Sequence, residues 1–387
     1  MKVALTGLGI ISAAGANVAE TLQGFARGER NGGPVTLFPT DLPYPVFEVK
    51  QIPRKWERKG MRTLSLALCA VEEALEDAGW QDEISRHRVG VCLGTTVGPQ
   101  LNDMQFYRAY RSSQAAPMEP VDRFLKGNIA EVVARTFKLR GPCSTVVNAC
   151  SSSADAIGVA MSWLKNGVCD VALAGGSDEL NLVPYCGFAS LGIVSKSFCS
   201  PFDRDRTGLN LGEGAGIFVL ETEPIARPRG KAAGLFCSGY GSASDAYHMT
   251  APRPDGTGLE AALRKALAEA AVAPAEVGFV NAHGTSTPDN DRVEGAVLAR
   301  VFGPAIKFLS TKGYTGHTLG AAGAVEAVFT AAALRAGWIP ASAGFVTKDD
   351  EIPIAPVKEK TPIQERVAVS TSLAFGGSNA ALVISLS

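Results

Sequence analysis

The sequence has few histidines and almost no net charge. Only four of the 387 residues are His, and 37 Lys and Arg residues nearly balance 38 Asp and Glu residues. A chain without an excess of charge has no bulk electrostatic attraction to nucleic acid or to an anionic membrane. The composition therefore predicts no nucleic-acid partner and no membrane partner.

Long apolar runs and metal-ligand spacings are missing as well. No uncharged apolar stretch of roughly 18 residues stands out as a membrane span, and Met1-Lys2 leads directly into a strand-like run instead of a signal peptide. The eight cysteines lie mostly within apolar runs, without the close pairing of zinc ligands. We therefore expect a reduced, cytoplasmic protein with no metal site.

Apolar residues recur with the spacing of strands in some segments and with the spacing of helices in others, and the two kinds of segment alternate along the chain. Strand-like runs at 2–6, 88–94, 170–176 and 217–221 are separated by helical ones, of which 61–78 is the longest. The strands are apolar enough to be covered on both faces. This alternation predicts layered α/β architecture.

The first run ends in a Gly-Leu-Gly sequence that resembles part of a dinucleotide-binding turn. Ser12 stands in place of the third glycine, and no acidic residue follows at a strand end. We reject nucleotide binding and interpret Gly7–Ser12 as a tight turn from a strand into a helix.

Two distant stretches share one pattern. Residues 145–158 and 369–382 each consist of an apolar strand, one special residue and then small residues; the special residue is Cys150 in the first and Phe375 in the second. An internal duplication would place these two turns side by side across a pseudo-twofold axis. The Pro- and Gly-containing segment 223–231 is a plausible link, so we predict halves at 1–230 and 231–387.

Cys150 is a candidate nucleophile. The serines that follow it suit the first turn of a helix, where their hydroxyls can cap free N–H groups. A helix N-terminus lowers the pKa of a thiol and favours the reactive thiolate. The alternative is a small, inert core cysteine, because cysteine is among the most buried residue types.

Two histidines lie in glycine-containing loops. His283 belongs to Asn-Ala-His-Gly-Thr-Ser-Thr-Pro, and His317 belongs to Thr-Gly-His-Thr-Leu-Gly. Such positions are unlike a histidine on an apolar helix face, and two of them together with Cys150 favour catalysis. A zinc site is the competing interpretation, but the close ligand pairs that it requires are absent.

Four motifs together resemble the β-ketoacyl-acyl-carrier-protein synthases. They are Ala-Cys-Ser-Ser, Asn-Ala-His-Gly-Thr-Ser-Thr-Pro, Thr-Lys-x-x-Thr-Gly-His-x-Leu-Gly-Ala-Ala-Gly and Phe-Gly-Gly-Ser-Asn, and they follow in order over nearly the whole chain. The resemblance is closest to the elongating branch with a Cys-His-His triad. It implies a thiolase-like fold with two pseudo-duplicated halves in α-β-α-β-α layers.

The resemblance also implies a reaction. Cys150 would take an acyl group, and malonyl-carrier protein would lose carbon dioxide and condense with it to give a 3-oxoacyl-carrier protein. His283 and His317 would donate N–H groups to the enolate oxygen. The backbone N–H groups of Cys150 and Phe375 would form the oxyanion hole. Because the Phe375 turn mirrors the Cys150 turn and is followed by two glycines that let it shift, we also expect the Phe375 ring to act as a gate; the alternative is a fixed core phenylalanine.

Further roles follow only from the resemblance. Lys312 would be an active-site lysine with Glu326 as its buried partner, and we expect it to organise the site more than to transfer protons. The remaining substrate-binding residues would be Thr285, Thr287, Gly376 and Gly377. Phosphopantetheine would arrive on the carrier protein, so no tightly bound cofactor is expected.

Lys55, Arg58 and Lys59 match basic residues that contact the acidic carrier protein in relatives. With Arg62 they would share one face of a helix; the alternative is an ordinary solvated face. The family is usually dimeric, so we expect a homodimer, or a heterodimer with a related subunit. Residues 98–127 are expected to form a loop-rich insert containing Asn102 and Asp103.

Two other function classes fit the sequence less well. A non-catalytic chain-length subunit would typically lack the cysteine that this chain has at 150. A degradative thiolase would use a second cysteine where Phe375 stands. Gly313-Tyr314 and Leu209-Asn210 depart from the family pattern, which leaves open whether the pathway is fatty-acid elongation or a dedicated aryl-polyene or type II polyketide pathway.

Overall fold

The computed structural model describes residues 3–80, 82–96, 98, 104–231 and 234–387. Within these ranges, twelve strands and twelve α-helices are present. The strands are β1 (Val3–Ser12), β2 (Val89–Gly94), β3 (Cys143–Val146), β4 (Val171–Asp178), β5 (Gly214–Thr222), β6 (Leu235–Ser244), β7 (Val277–Asn281), β8 (Lys307–Leu309), β9 (Trp338–Ile339), β10 (Thr361–Pro362), β11 (Val367–Ala374) and β12 (Ser378–Leu386).

The helices lie mainly between successive strands. They are α1 (Val18–Ala26), α2 (Arg62–Ala78), α3 (Met104–Arg111), α4 (Glu119–Lys126), α5 (Ile129–Thr136), α6 (Ser152–Lys165), α7 (Leu182–Ser190), α8 (Glu223–Ala226), α9 (Thr257–Ala270), α10 (Pro288–Phe302), α11 (Lys312–Thr315) and α12 (Ala322–Ala336).

The main sheet consists of two halves with the same arrangement of strands. Its order is β3-β2-β4-β5-β1-β6-β12-β11-β7-β8, while β9 and β10 form a separate pair. Each half has five strands in the same arrangement when it is read outward from the centre of the sheet. The order is β1, β5, β4, β2, β3 in the first half and β6, β12, β11, β7, β8 in the second. The two halves join where Val3–Leu5 pairs antiparallel with Leu235–Cys237. The predicted duplication is confirmed, whereas the exact boundary at 230/231 stays a prediction.

The layers follow from which helices cover each half of the sheet. Helix α2 packs on β1 and β5, and α9 packs on β6 and β12. Helices α6 and α12 pack against each other and contact strands of both halves, so they form the middle layer. The α-β-α-β-α arrangement is confirmed.

Helix α12 is apolar because it lies in the core. The segment Leu319–Ala336 is long and apolar enough to cross a membrane, with a mean hydropathy of 1.3, but 89% of it is buried inside the protein. Every residue from Ala322 to Leu334 is buried. Its composition therefore reflects burial between the two halves of the sheet.

The interpretation of Gly7–Ser12 as a turn is wrong, because β1 continues through Ser12. A β-carbon on Gly7 or Gly9 would lie about 2 Å from a carbonyl oxygen of α2. Glycine is required there so that the helix can approach the strand closely. Gly239 and Gly241 stand in the same relation to α9 in the second half, which is a further sign of the duplication.

The predicted equivalence of the Cys150 and Phe375 turns is also wrong. By strand order, the turn after β11 corresponds to the connection after β4, and the turn after β3 corresponds to the loop after β8 that carries His317. A strand followed by small residues is a local pattern that can occur at any tight turn. The likeness of the Cys150 and Phe375 stretches therefore does not show that they hold equivalent places in the two halves. The two turns are nevertheless neighbours, because the Phe375 N–H hydrogen bonds to the Cys150 sulfur.

The helix predicted at 61–78 is confirmed as α2, and Gly79 ends it with a φ of 71°. The prediction that Lys55, Arg58 and Lys59 share one helix face with Arg62 is wrong. Residues 54–56 form a separate 3₁₀ turn, and Arg62 instead pairs at 2.6 Å with the buried carboxylate of Glu213. The insert at 98–127 contains α3 and α4, while Asn102 and Asp103 lie outside the described residues.

Candidate active site

One cavity of about 230 Å³ brings together the residues singled out by the motifs. Cys150 comes from the first half of the duplicated fold, and His283, His317 and Phe375 come from the second. Thr285 and Thr287 also line the cavity, and their hydroxyl oxygens lie 2.8 Å apart. The cavity therefore lies where the two halves meet.

Cys150 lies in a tight turn between β3 and α6. Ala149, which precedes it, has a φ of 46°, a left-handed conformation that is uncommon for a residue with a side chain. The Ser152 hydroxyl lies in the turn, where it accepts from the Asn148 N–H at 2.8 Å. The Ser153 hydroxyl accepts from the Ala324 N–H at the start of α12. The prediction that these serines cap α6 is therefore wrong, because they bond to the turn and to the neighbouring central helix.

Burial controls the ionisation of Cys150. The residue is only 5% exposed, and this burial raises the pKa of its thiol to about 11. The Lys312 ammonium and the Phe375 N–H favour the thiolate, but they do not outweigh the loss of solvation. The predicted lowering of this pKa is wrong, and the resting residue is a thiol.

Both histidine rings are held in one tautomer. His283 Nδ1 lies 3.1 Å from Lys312 Nζ, and His317 Nδ1 accepts the Leu319 N–H at 3.2 Å. An ammonium and an amide can only donate, so both Nδ1 atoms are acceptors and each ring carries its proton on Nε2. The ring centroids are 5.2 Å apart and the rings are nearly perpendicular.

Both histidines are neutral at physiological pH. Burial lowers the pKa of His283 and of His317 well below the usual value, and the Lys312 charge lowers both further. A neutral ring with a fixed Nε2–H is a hydrogen-bond donor that needs no proton from solvent. The pair can therefore stabilise a negative oxygen over a wide pH range.

Lys312 is 1% exposed and makes several contacts at the base of the site. Its Nζ contacts the Glu326 carboxylate and donates to the His283 carbonyl at 2.6 Å. Burial raises the pKa of Glu326 to about 7, an effect that the Lys312 ammonium opposes. The predicted pair is thus present, and it reaches His283 directly.

Glu294 in α10 supports the His283 loop and escaped the sequence analysis. Its two carboxylate oxygens accept the N–H groups of His283 and Gly284, each at 2.8 Å. The Thr371 hydroxyl donates to the same carboxylate at 2.7 Å. The available signal was a glutamate between Val293 and Gly295 on the apolar face of a helix, where an acidic residue needs partners.

The Phe375 ring is half-buried and stacks on Phe188 of α7, with centroids 5.4 Å apart. Phe188 also lies edge-on to His317 at 6.5 Å. Nothing in its apolar sequence context distinguished Phe188 from a core residue. The two phenyl rings together close one side of the cavity that holds Cys150.

Gly376 and Gly377 follow Phe375 with φ values of 86° and 80°. They do not line the cavity. Gly376 N–H donates to the Met249 carbonyl at 2.7 Å, and Asp245 N–H donates to the Gly377 carbonyl at 2.7 Å. Their position supports the conformation of the Phe375 turn, which requires two residues at positive φ.

The three basic residues proposed for docking lie away from the cavity lining. Lys55 pairs with Glu72 at 2.7 Å, and both Lys55 and Arg58 lie within 6 Å of the Trp56 ring. Lys59 is exposed, and no ion pair forms at it within the described residues. Across the same part of the chain, no group of three or more His, Cys, Asp or Glu side chains could hold a metal ion.

A thiol that can carry an acyl group, beside two fixed N–H donors that can hold an enolate oxygen, suits carbon–carbon bond formation between thioesters. This combination, on a duplicated five-layer fold, is that of the thiolase-fold condensing enzymes. The chain belongs to the β-ketoacyl synthase family. Residues 48–226 match the family model "Beta-ketoacyl synthase, N-terminal domain", and residues 236–346 match "Beta-ketoacyl synthase, C-terminal domain".

Relatives of known name agree with this assignment. The chain is 34% identical over 339 residues to the mitochondrial 3-oxoacyl-[acyl-carrier-protein] synthase of Arabidopsis thaliana, covering 83% of this chain and 74% of that one. It is 32% identical over 406 residues to 3-oxoacyl-[acyl-carrier-protein] synthase 2 of Staphylococcus aureus, covering 99% and 98%.

Solved structures show the same architecture. The ishigamide ketosynthase/chain length factor superposes with a TM-score of 0.94 at 30% identity, covering 100% of this chain and 99% of that one. A ketosynthase in complex with its chain length factor from Xenorhabdus doucetiae gives a TM-score of 0.85 at 30% identity, covering 100% and 98%.

The raised pKa of Cys150 leads to a prediction about its alkylation. Because the thiolate is the reactive form, the rate of iodoacetamide labelling at Cys150 should rise about tenfold per pH unit between pH 7 and pH 9. Peptide mapping by mass spectrometry follows this residue separately from the other seven cysteines. A plateau in the rate below pH 8 would mean that the thiolate is already stable and that burial does not dominate.

Proposed function

We propose that Cys150, His283 and His317 carry out the decarboxylative condensation of an acyl group with malonyl-acyl-carrier protein, giving a 3-oxoacyl-acyl-carrier protein. The enzyme is a condensing acyltransferase of the β-ketoacyl synthase family. The observation that carries the residue assignment is that one cavity is lined by a thiol and by two neutral imidazoles, each with its proton on Nε2.

In the first step the Cys150 sulfur attacks the carbonyl carbon of an acyl thioester on the carrier protein. The bond to the carrier sulfur breaks, and the proton that Cys150 loses balances the one gained by the departing thiolate. The tetrahedral oxyanion would lie between the backbone N–H groups of Cys150 and Phe375. Each such donor contributes roughly 3–4 kcal/mol of transition-state stabilisation.

In the second step malonyl-carrier protein replaces the discharged carrier. The bond from its carboxylate to the α-carbon breaks, carbon dioxide leaves, and the electron pair forms an enolate. The Nε2–H groups of His283 and His317 would hold the enolate oxygen. The α-carbon then attacks the acyl-Cys150 carbonyl, and the expelled Cys150 thiolate regains a proton from solvent.

Lys312 acts in this proposal as an organiser. Its contacts with Glu326 and with His283 Nδ1 hold the proton of that imidazole on Nε2. All three N–H groups of the ammonium have acceptors, namely the Glu326 carboxylate, His283 Nδ1 and the His283 carbonyl, so none is free to donate to the enolate. Removing either member of the buried pair would leave an uncompensated charge, which costs about 3–5 kcal/mol in other proteins.

Phe375 is proposed as a gate between the acyl and malonyl sites. Its ring stacks on Phe188 in this conformation, so opening the path must break that contact. Thr285 and Thr287 would hydrogen bond to the phosphopantetheine arm, which arrives as part of the substrate and needs no resident cofactor. Gly376 and Gly377 would contribute to substrate binding through the turn that they form with Phe375.

We propose that Lys55, Arg58 and Lys59 bind the acidic face of the carrier protein. Charge pairing of this kind accelerates encounter and is screened by salt. Since Lys55 is already paired with Glu72, Lys59 should contribute more to docking. The proposal concerns association only, because none of the three lines the cavity.

The working unit is proposed to be a dimer, either of identical chains or with a related subunit. Strand β3 lies at one end of the sheet, and Val147, which follows it, is 68% exposed. An open strand edge beside exposed apolar side chains is a surface that proteins usually cover. Two similar solved structures are named as pairs of a ketosynthase with a chain length factor.

The names of these two solved structures favour a pathway other than fatty-acid elongation. Likeness to a ketosynthase paired with a chain length factor supports a dedicated aryl-polyene or type II polyketide pathway, whereas the curated relatives support fatty-acid elongation. The chemistry at Cys150 would be identical in both. The cytoplasm is proposed as the compartment, in keeping with eight unpaired cysteines.

The two histidines should act mainly on the malonyl half-reaction. His283→Ala and His317→Ala should each slow carbon dioxide release from malonyl-carrier protein about a hundredfold or more, while acyl transfer to Cys150 persists. Radiometric carbon dioxide release and intact-protein mass spectrometry measure the two steps. His87→Ala, which removes a histidine packed on Trp80, is the control. Decarboxylation at the wild-type rate in both site variants would refute the assignment.

Charge reversal should separate docking from chemistry. Lys59→Glu should raise KM for carrier-bound substrate by about tenfold at low salt, and Lys55→Glu should raise it less. Lys360→Glu, on a cation that instead packs on Trp338, should leave KM unchanged. Activity with a small thioester that lacks the protein should not change in any variant. Equal losses on both substrates would show that the segment supports folding instead.

Truncating the Phe375 ring should remove the requirement that acylation precede decarboxylation. Phe375→Ala should lose only about 1 kcal/mol of stability, the value of one aromatic pair, and should release carbon dioxide from malonyl-carrier protein without prior acylation. Phe198→Ala removes a half-buried ring that packs on Phe47 away from the cavity and serves as the control. A loss of 3–5 kcal/mol with the order unchanged would indicate a packing role only.

A further inference from the structure

Asp155 lies one turn into α6, five residues after Cys150, and is 7% exposed. It is the only charged residue between Cys150 and Trp163. A buried carboxylate in such a place requires several hydrogen-bond donors. The donors that it has join the Cys150 turn to the opposite half of the fold.

The first carboxylate oxygen holds the Cys150 turn from both sides. Asp155 Oδ2 accepts from Asn148 Nδ2 at 2.6 Å and from the Ser151 hydroxyl at 2.8 Å. Asn148 lies two residues before Cys150, and Ser151 lies directly after it. The sulfur is therefore carried on a turn whose two ends bond to one carboxylate.

The turn needs such support because its backbone is strained. Ala149 has a φ of 46°, which an alanine adopts only when the surrounding structure imposes it. The Asn148 side chain also donates to the Ser378 hydroxyl at 2.8 Å. Ser378 begins β12 directly after the turn of Phe375, so the nucleophile and the proposed oxyanion donor are held by one network.

The second carboxylate oxygen reaches the other half of the fold. Asp155 Oδ1 accepts from the Tyr240 hydroxyl at 2.7 Å, and Tyr240 belongs to β6. The Tyr240 ring lies against α6 at Gly158, where a β-carbon would be 2.5 Å from the ring. Burial of the ring and, after it, the Asp155 charge raise the pKa of the Tyr240 hydroxyl, so it remains a donor.

We propose that Asp155 is a positioning residue for the nucleophile, and that Tyr240 anchors it to the second half of the fold. Through Asn148 and Ser151 it fixes the Cys150 sulfur relative to the Phe375 N–H. It does not touch the reacting atoms. The inference rests on the proposed role of Cys150, which Cys150→Ala tests separately by abolishing the acyl adduct.

A graded series of variants tests this role. Asp155→Ala removes all three contacts and should lower the maximum rate of Cys150 acylation about a hundredfold, because small misplacements of a reacting group are costly. Asp155→Asn keeps the shape and part of the hydrogen bonding, and should recover about tenfold of that loss. Tyr240→Phe should give a smaller loss, of about threefold to tenfold. The concentration of acyl-carrier protein at half-maximal rate should stay unchanged in all three.

Two comparisons separate positioning from general damage. Carbon dioxide release from malonyl-carrier protein by enzyme that has already been acylated and isolated, a step that uses His283 and His317, should stay within about twofold of wild type. Asp170→Ala removes a carboxylate paired with Arg88 at 2.6 Å and should leave acylation unchanged. If Asp155→Ala does not fold, Tyr240→Phe supplies the same readout.

Three results would overturn the proposal. Wild-type acylation in Asp155→Asn and Tyr240→Phe would show that the network is dispensable. A loss of decarboxylation by the pre-acylated enzyme equal to the loss of acylation would show that the network supports the whole site and not the nucleophile. An unchanged acylation rate with a lower melting temperature would leave only a role in stability.

Discussion

The buried Lys312 ammonium is the interaction on which the site depends. Lys312 begins α11, and its ammonium contacts Glu326 of α12, the His283 ring and the His283 carbonyl. Its positive charge lowers the pKa of both histidines, and it opposes the rise that burial causes in the pKa values of Glu326 and Cys150. Burial is the larger cause of the neutral imidazoles, and the Lys312 charge adds to it, whereas for Glu326 and Cys150 the same charge works against burial.

Duplication of the fold explains how such a site is assembled. Cys150 follows β3, and its topological counterpart after β8 is the loop that carries Lys312 and His317. Equivalent turns of the two halves therefore face each other and contribute different chemistry. The central helices that follow these turns, α6 and α12, pack together and fix their separation. The two halves differ in these turns, so that a thiol lies on one side of the cavity and two imidazole N–H groups lie on the other.

The sequence was most informative where chemistry lies in short motifs. The layered α/β fold, helix α2 and the grouping of Cys150 with both histidines all follow from local pattern and from family resemblance. The pKa of Cys150 could not be predicted, because helix position suggested a low value while burial, which depends on the whole fold, raises it. The contact between Asp155 and Tyr240 joins residues 85 apart in sequence. No periodicity indicates such a pair, although a lone aspartate in an apolar run does indicate that a partner exists.

The central claim is that Cys150 carries the growing acyl chain as a thioester. The most direct test is mass spectrometry of the Cys150 peptide from protein isolated from cells without reducing agent. The account predicts an acyl adduct on this peptide that hydroxylamine removes, and its mass would also identify the chain that the pathway extends. An acyl group found on another cysteine, or an enzyme that forms 3-oxoacyl product while its Cys150 is never acylated, would contradict the account.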